Sequence, residues 1–171
     1  MVVFLANRSN LQNRRLHTRI KNTIRSEFDD VRMRRTDARD PGPYRVVGDV
    51  DPRVFLDEKT YPTAVARVEI GIQIQTSESY EYYWVNWVEP ERGMLVGWHQ
   101  DDTHDEFGPV HIQVTDRSAT VDHRPAQFID SHPLDVVGQR IENLREAVLA
   151  VEWEGERPVG LQQSASVTSE S

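Results

Sequence analysis

Between Met94 and His123 the chain reads MLVGWHQDDTHDEFGPVHIQVTDRSATVDH, and four of its six histidines fall inside that stretch: His99, His104, His111 and His123. Asp101 and Asp102 stand between the first two, and His132 follows shortly after. Neutral imidazole nitrogens with a carboxylate oxygen make up a donor set for a divalent transition ion. The same side chains can serve as general acid and base without a metal, because an imidazole titrates near neutral pH. Both chemistries draw on His99, Asp101, His104 and His111. The spacing contains no HExxH and no cupin-type pattern. The competing reading is ordinary: strand histidines half exposed, His104 solvated in a loop, His123 a weaker candidate still, and His132 helping to position the start of the helix that follows.

The elements around these residues decide whether they meet. Val110, Ile112 and Val114 alternate with His111, Gln113 and Thr115, which is the period of a half-buried strand. MLVGWHQ forms the strand before it, ending on His99 at the mouth of the acidic loop 100–108. If the two strands pair across that loop, His99 and His111 become neighbours at one end of a sheet. The DRSA turn and ATVDHR (119–124) supply the next strand.

Upstream, Ala64, Ala66, Val68, Ile70, Ile72 and Ile74 share one strand face, with Arg67, Glu69, Gln73 and Gln75 on the other. YEYYWVNWV (80–88) is a second strand by aromatic propensity, and the EPERG turn returns it into MLVGWHQ as a hairpin. Gly97 and Gly108 serve turns or close packing. Leu134, Val137, Ile141, Leu144, Val148 and Val151 form one apolar stripe, predicting a helix over Pro133–Trp153 with Ser131 as N-cap. That stripe is the cover for the sheet's apolar face.

The first 40 residues carry ten Lys/Arg against five Asp/Glu, whereas residues 41–171 carry ten against 23. An acidic body of this kind repels nucleic acid at long range and has the composition of a protein adapted to salt. Contact with RNA or DNA therefore falls to the basic segment, residues 8–39. Within it Leu16, Ile20, Ile24 and Phe28 recur every fourth residue, as in an amphipathic helix; a leader before a start at Met33 is the other reading. The absence of cysteine excludes disulfides and thiolate metal sites and suits a cytoplasmic protein. No apolar run approaches the roughly 20 residues of a membrane span.

The run YEYYWVNWVEPERGMLVGWHQDDTHDEFGPVHIQV, followed by a helix from near Pro133, resembles the TumE family of toxin components of toxin–antitoxin pairs, over about residues 63–152. Family members show an aromatic–Asp–Asn step where this chain has Trp98-His99-Gln100-Asp101. Their histidine-bearing segment falls on His104 and His111. The resemblance implies a partner, a helix-turn-helix DNA-binding antitoxin.

The expectation is an α+β domain over residues 63–155, an antiparallel meander of about five strands covered on one face by the C-terminal helix. Residues 1–40 form a basic extension, 41–62 a Pro-rich linker and 156–171 a disordered tail. Functionally, the expectation is a TumE-like toxin acting as a nuclease-like hydrolase through His99, Asp101, His104 and His111, with a histidine base or a divalent metal ion. The alternative is a non-enzymatic module binding a protein through Tyr83, Trp87, Trp98 and an open sheet edge.

Overall fold

The computed structural model describes residues 8–36, 42–76, 79–101 and 104–163. Helix α1 (Arg8–Ile24) precedes strands β1 (Asp29–Arg35) and β2 (Tyr44–Val50) and a short helix α2 (Pro52–Phe55). Strands β3 (Ala66–Thr76), β4 (Ser79–Glu89), β5 (Met94–Gln100), β6 (Val110–Asp116) and β7 (Ala119–Pro125) follow. Helix α3 (Pro133–Leu149) and a hairpin of β8 (Val151–Glu154) and β9 (Arg157–Leu161) close the described chain. β1 to β7 form one antiparallel sheet in sequence order.

The α+β meander is therefore present, with seven strands instead of five. The two additional strands come from the region expected to be extension and linker, and α1 is part of the core. Leu16, Ile20, Ile24 and Phe28 are all buried. Burying these side chains contributes about 1.5–3 kcal/mol each, before the entropy cost of ordering the helix. The basic residues of α1 point away because a four-residue apolar repeat fixes which face of a helix turns inward.

Both α1 and α3 cover the same face of the sheet, where Val68, Ile70 and Ile72 of β3 meet Tyr83, Val85 and Trp87 of β4. Trp98 and Val96 of β5, then Ile112 and Val114 of β6, continue that layer. Tyr83, Trp87 and Trp98 are 2%, 0% and 0% exposed, so the exposed-aromatic surface of the binding-module reading does not exist. Packing claimed these rings because they fall on the inward parity of the register.

α1 also secures the sheet. The regular β2–β3 pairing runs from Val50 opposite Ala66 to Val46 opposite Ile70, and beyond it α1 bonds to the β3 backbone. Asn13 accepts from the Ile74 N–H at 2.9 Å and donates to the Ile74 carbonyl at 3.1 Å. His17 Nε2 accepts from the Ile72 N–H at 3.2 Å.

Helix α3 stops at Leu149, short of Trp153, and its N-cap is His132, whose Nδ1 accepts from the Leu134 N–H at 3.2 Å. Ser131 instead donates to Asp135. Val151 and Trp153 belong to β8. Much of the expected tail is ordered: Leu161 is buried, its N–H bonded to Asp122 at 2.8 Å. Residues 164–171 lie outside the described residues. No helix among the described residues is long and apolar enough to cross a membrane.

Candidate metal centre

The helix-free face of the sheet carries the polar side chains, and strand register places them. His99 lies directly opposite His111 in the β5–β6 pair. Gln113 lies opposite His123 in the β6–β7 pair, which sets His123 diagonally beside His111 on the same face. Residues 104–107, ahead of β6, pack over this row. The His104 ring stands 5.1 Å from that of His111 and 4.5 Å from that of His123, and Phe107 packs 4.1 Å from His123. The rings of His99 and His111 are 5.6 Å apart, those of His111 and His123 4.2 Å.

Two donor groups result, and both contain His111. In each of His104–His111–His123 and His99–Asp101–His111, one ligand atom per residue lies within 4.8 Å of the others. Nitrogen donors on one tetrahedral zinc ion, at 2.0–2.1 Å from the metal, stand roughly 3.4 Å apart. The triads are thus open by at most about an ångström or two, within reach of small rotamer changes.

The four expected residues His99, Asp101, His104 and His111 are brought together. His123, the weaker candidate, joins them, whereas His132 is occupied in capping α3. Asp102 lies outside the described residues. The signal for His123 was its even separation from Val121 in a strand that pairs with β6; the register that makes this decisive depends on a bulge at Val114/Thr115.

His111 is 0% exposed, and among the described residues neither of its ring nitrogens has a hydrogen bond. Asp101 Oδ2 lies 3.7 Å from its Nε2, too long for a hydrogen bond. His123 Nε2 is likewise buried without a hydrogen-bond partner. A buried polar atom left unpaired costs about 1–3 kcal/mol. Such atoms gathered in one place mark a site held ready for something else.

The electrostatics keep the cluster neutral. Desolvation, then the neighbouring His111, pushes His99 down to about 3. Desolvation, then His123, pushes His111 down to about 4. His123 is lowered as well, first by desolvation and then by His104. Imidazoles that refuse protons at neutral pH keep their lone pairs for a cation.

Asn86 orients His99. Its Oδ1 lies 2.8 Å from His99 Nε2, so that nitrogen carries the proton and Nδ1 keeps its lone pair. Gly97 makes room for this contact. A Cβ there would stand 2.2 Å from Asn86 Oδ1 and 2.4 Å from the Val85 carbonyl oxygen. Beside Asn86 a cavity of about 240 Å³ opens, and Trp84, Glu69, Arg45, His99 and Asp101 also line it.

Compared with models of protein families, with curated proteins and with solved structures, the chain matches none.

Proposed function

We propose that this protein is a TumE-like toxin whose effector site is the histidine cluster, holding a divalent transition-metal ion and using it in hydrolysis. The observation that carries the reading is His111. A fully buried imidazole with no hydrogen bond on either nitrogen among the described residues, shared by two donor triads, has the properties of a metal ligand and lacks those of a packing residue. His99, Asp101, His104 and His123 complete the donor set. Borderline nitrogen donors with one carboxylate suit zinc, nickel or manganese. Such an ion would act as a Lewis acid on an ester or phosphoester and supply a nucleophilic water near neutral pH. On this reading the partner is a helix-turn-helix antitoxin.

The test is metal content by mass spectrometry on protein purified without an affinity tag, with growth inhibition measured alongside. Near-stoichiometric metal should be found and should vanish in His99→Ala/His111→Ala. Alanine at His99, His104 and His111 together should abolish growth inhibition while the circular dichroism spectrum stays that of the folded protein. Metal-free wild type, or a triple variant that still arrests growth, would overturn the proposal.

A further inference from the structure

The open face carries one continuous cross-strand row. Arg34 of β1 lies opposite Arg45 of β2. The β2–β3 register, extended by one residue, sets Arg45 beside Gly71. Gly71 lies opposite Trp84, Trp84 opposite His99, and His99 opposite His111. The row thus runs from an arginine edge, across an indole, into the metal centre. At about 4.8 Å per strand it spans about 19 Å from Arg34 to His99.

Each part of the row has a chemical preference. The six-membered ring of Trp84 sits on Gly71, where a Cβ would fall 2.0 Å from two of its atoms; the missing side chain makes room for the indole against the sheet. Trp84 and Asn86 line the cavity of about 240 Å³, and His99 and Asp101 form the wall shared with the metal centre. Among the described residues only the Oδ1 of Asn86 is engaged, which leaves its amide N–H groups to donate into the cavity. Glu69, which pairs with Arg67 at 2.6 Å and with Arg45 at 3.7 Å, adds a carboxylate acceptor on the same lining. An aromatic wall with an amide donor and a carboxylate acceptor suits a planar heterocycle presenting its own donors and acceptors. The volume lies below the roughly 300–1,000 Å³ of drug-sized sites, so it admits a single base.

At the other end of the row, Arg14, Arg34 and Arg35 line a second recess with Tyr44 and Met33. All three arginines are exposed, and none forms an ion pair among the described residues. In a chain of net charge −8, Arg34 keeps the open-face parity of its cross-strand partner Arg45, whereas Arg35 lies opposite Tyr44, whose ring stands 5.9 Å from that of His17, and Arg14 is on α1 itself, so these two belong to the helix-covered side.

We infer that the substrate of the centre is single-stranded nucleic acid: one base enters the cavity beside Trp84 and Asn86, its phosphate meets the His99–Asp101–His111 donors, and the strand runs back along the row toward Arg34. This rests on the metal-centre reading above and adds to it the substrate class. A paired base cannot reach a recess in a sheet face without leaving its stack, so a duplex binds worse.

The experiment is fluorescence anisotropy with the full-length, metal-loaded protein and three labelled probes: oligo-uridine, oligo-thymidine and a DNA duplex. At least one single-stranded probe should bind about tenfold or more tighter than the duplex. Arg34→Glu should weaken that binding about fivefold or more and lower the salt slope by roughly one. Trp84→Phe, which keeps a ring over Gly71, should retain it better than Trp84→Leu. Equal binding to duplex and single strand, or unaltered binding in the arginine variant, would overturn the inference. Metal content and growth inhibition of that variant separate the two levels. Retained metal and toxicity without nucleic-acid dependence would remove the substrate and leave the centre, whereas wild type without metal would remove the centre itself.

Discussion

His17 on α1 and His111 on β6 are both 0% exposed, yet their nitrogens are used in opposite ways. His17 Nδ1 lies 2.6 Å from the Asn13 carbonyl oxygen, and its Nε2 accepts from the Ile72 N–H at 3.2 Å. This fixes one tautomer and satisfies a strand N–H. His111 sits in a regular ladder whose backbone needs nothing from it, and among the described residues both its nitrogens lack a hydrogen bond. One imidazole is kept because the fold needs it. The other does nothing for the ladder it stands on, and on the proposed reading its nitrogens are left for a metal ion.

Substitution at each position draws that contrast most sharply. His17→Ala removes the acceptor from Ile72 and opens a cavity beside the core, and should cost about 2–5 kcal/mol, read as a lower urea midpoint. Its metal content should match wild type. His111→Leu replaces an unpaired polar ring by an apolar group of similar size and should stabilise the metal-free protein by about 1–3 kcal/mol. It should also remove bound metal. Equal loss of stability in both variants would make His111 a second structural histidine and end the contrast.

Acid tests the same pair with a different outcome. Desolvation lowers the pKa of both imidazoles, of His111 to about 4. An unfolded chain takes up these protons near pH 6.5, whereas the folded protein refuses them until lower pH. Between those limits the unfolded state binds more protons, so stability is full above about pH 6.5 and falls as the pH drops below it. Each such residue adds at most about 1.4 kcal/mol per pH unit to the slope. In metal-free protein, His17→Gln and His111→Leu should each flatten the pH dependence of the urea midpoint. A His111→Leu protein with an unaltered slope would place that imidazole in contact with water.

How much of this was legible in sequence follows from the range of the signals. Alternation in β3, β5 and β6 was local, so the strands, the convergence of His99 with His111, and the inclusion of Asp101 and His104 could be read from parity and one loop. The inward turn of Trp87 could not, because aromatics stood on both faces of β4 and only register chose between them. The role of α1 was hidden by its charge. Its four-residue apolar repeat was visible, but the bonds from Asn13 and His17 to β3 span more than 50 residues. β8 and β9 are short strands whose pairing and packing against β6 and β7 no periodicity announces.

The smallest effect concerns Asn86, which acts on the centre only through His99. With Oδ1 at 2.8 Å from Nε2 it holds the proton on that nitrogen and leaves the lone pair on Nδ1. Asn86→Ala leaves His99 free to rotate or change tautomer and should weaken zinc binding about tenfold, the low end for loss of a group that orients a histidine ligand. A chromophoric chelator in competition would measure it. Asn86→Asp restores an acceptor in the same place and should recover wild-type affinity, which a merely space-filling role would not require. His17 has no such dependence, since its two partners are backbone groups. If Asn86→Ala binds zinc as tightly as wild type, His99 is not a ligand, and the centre reduces to His104, His111 and His123.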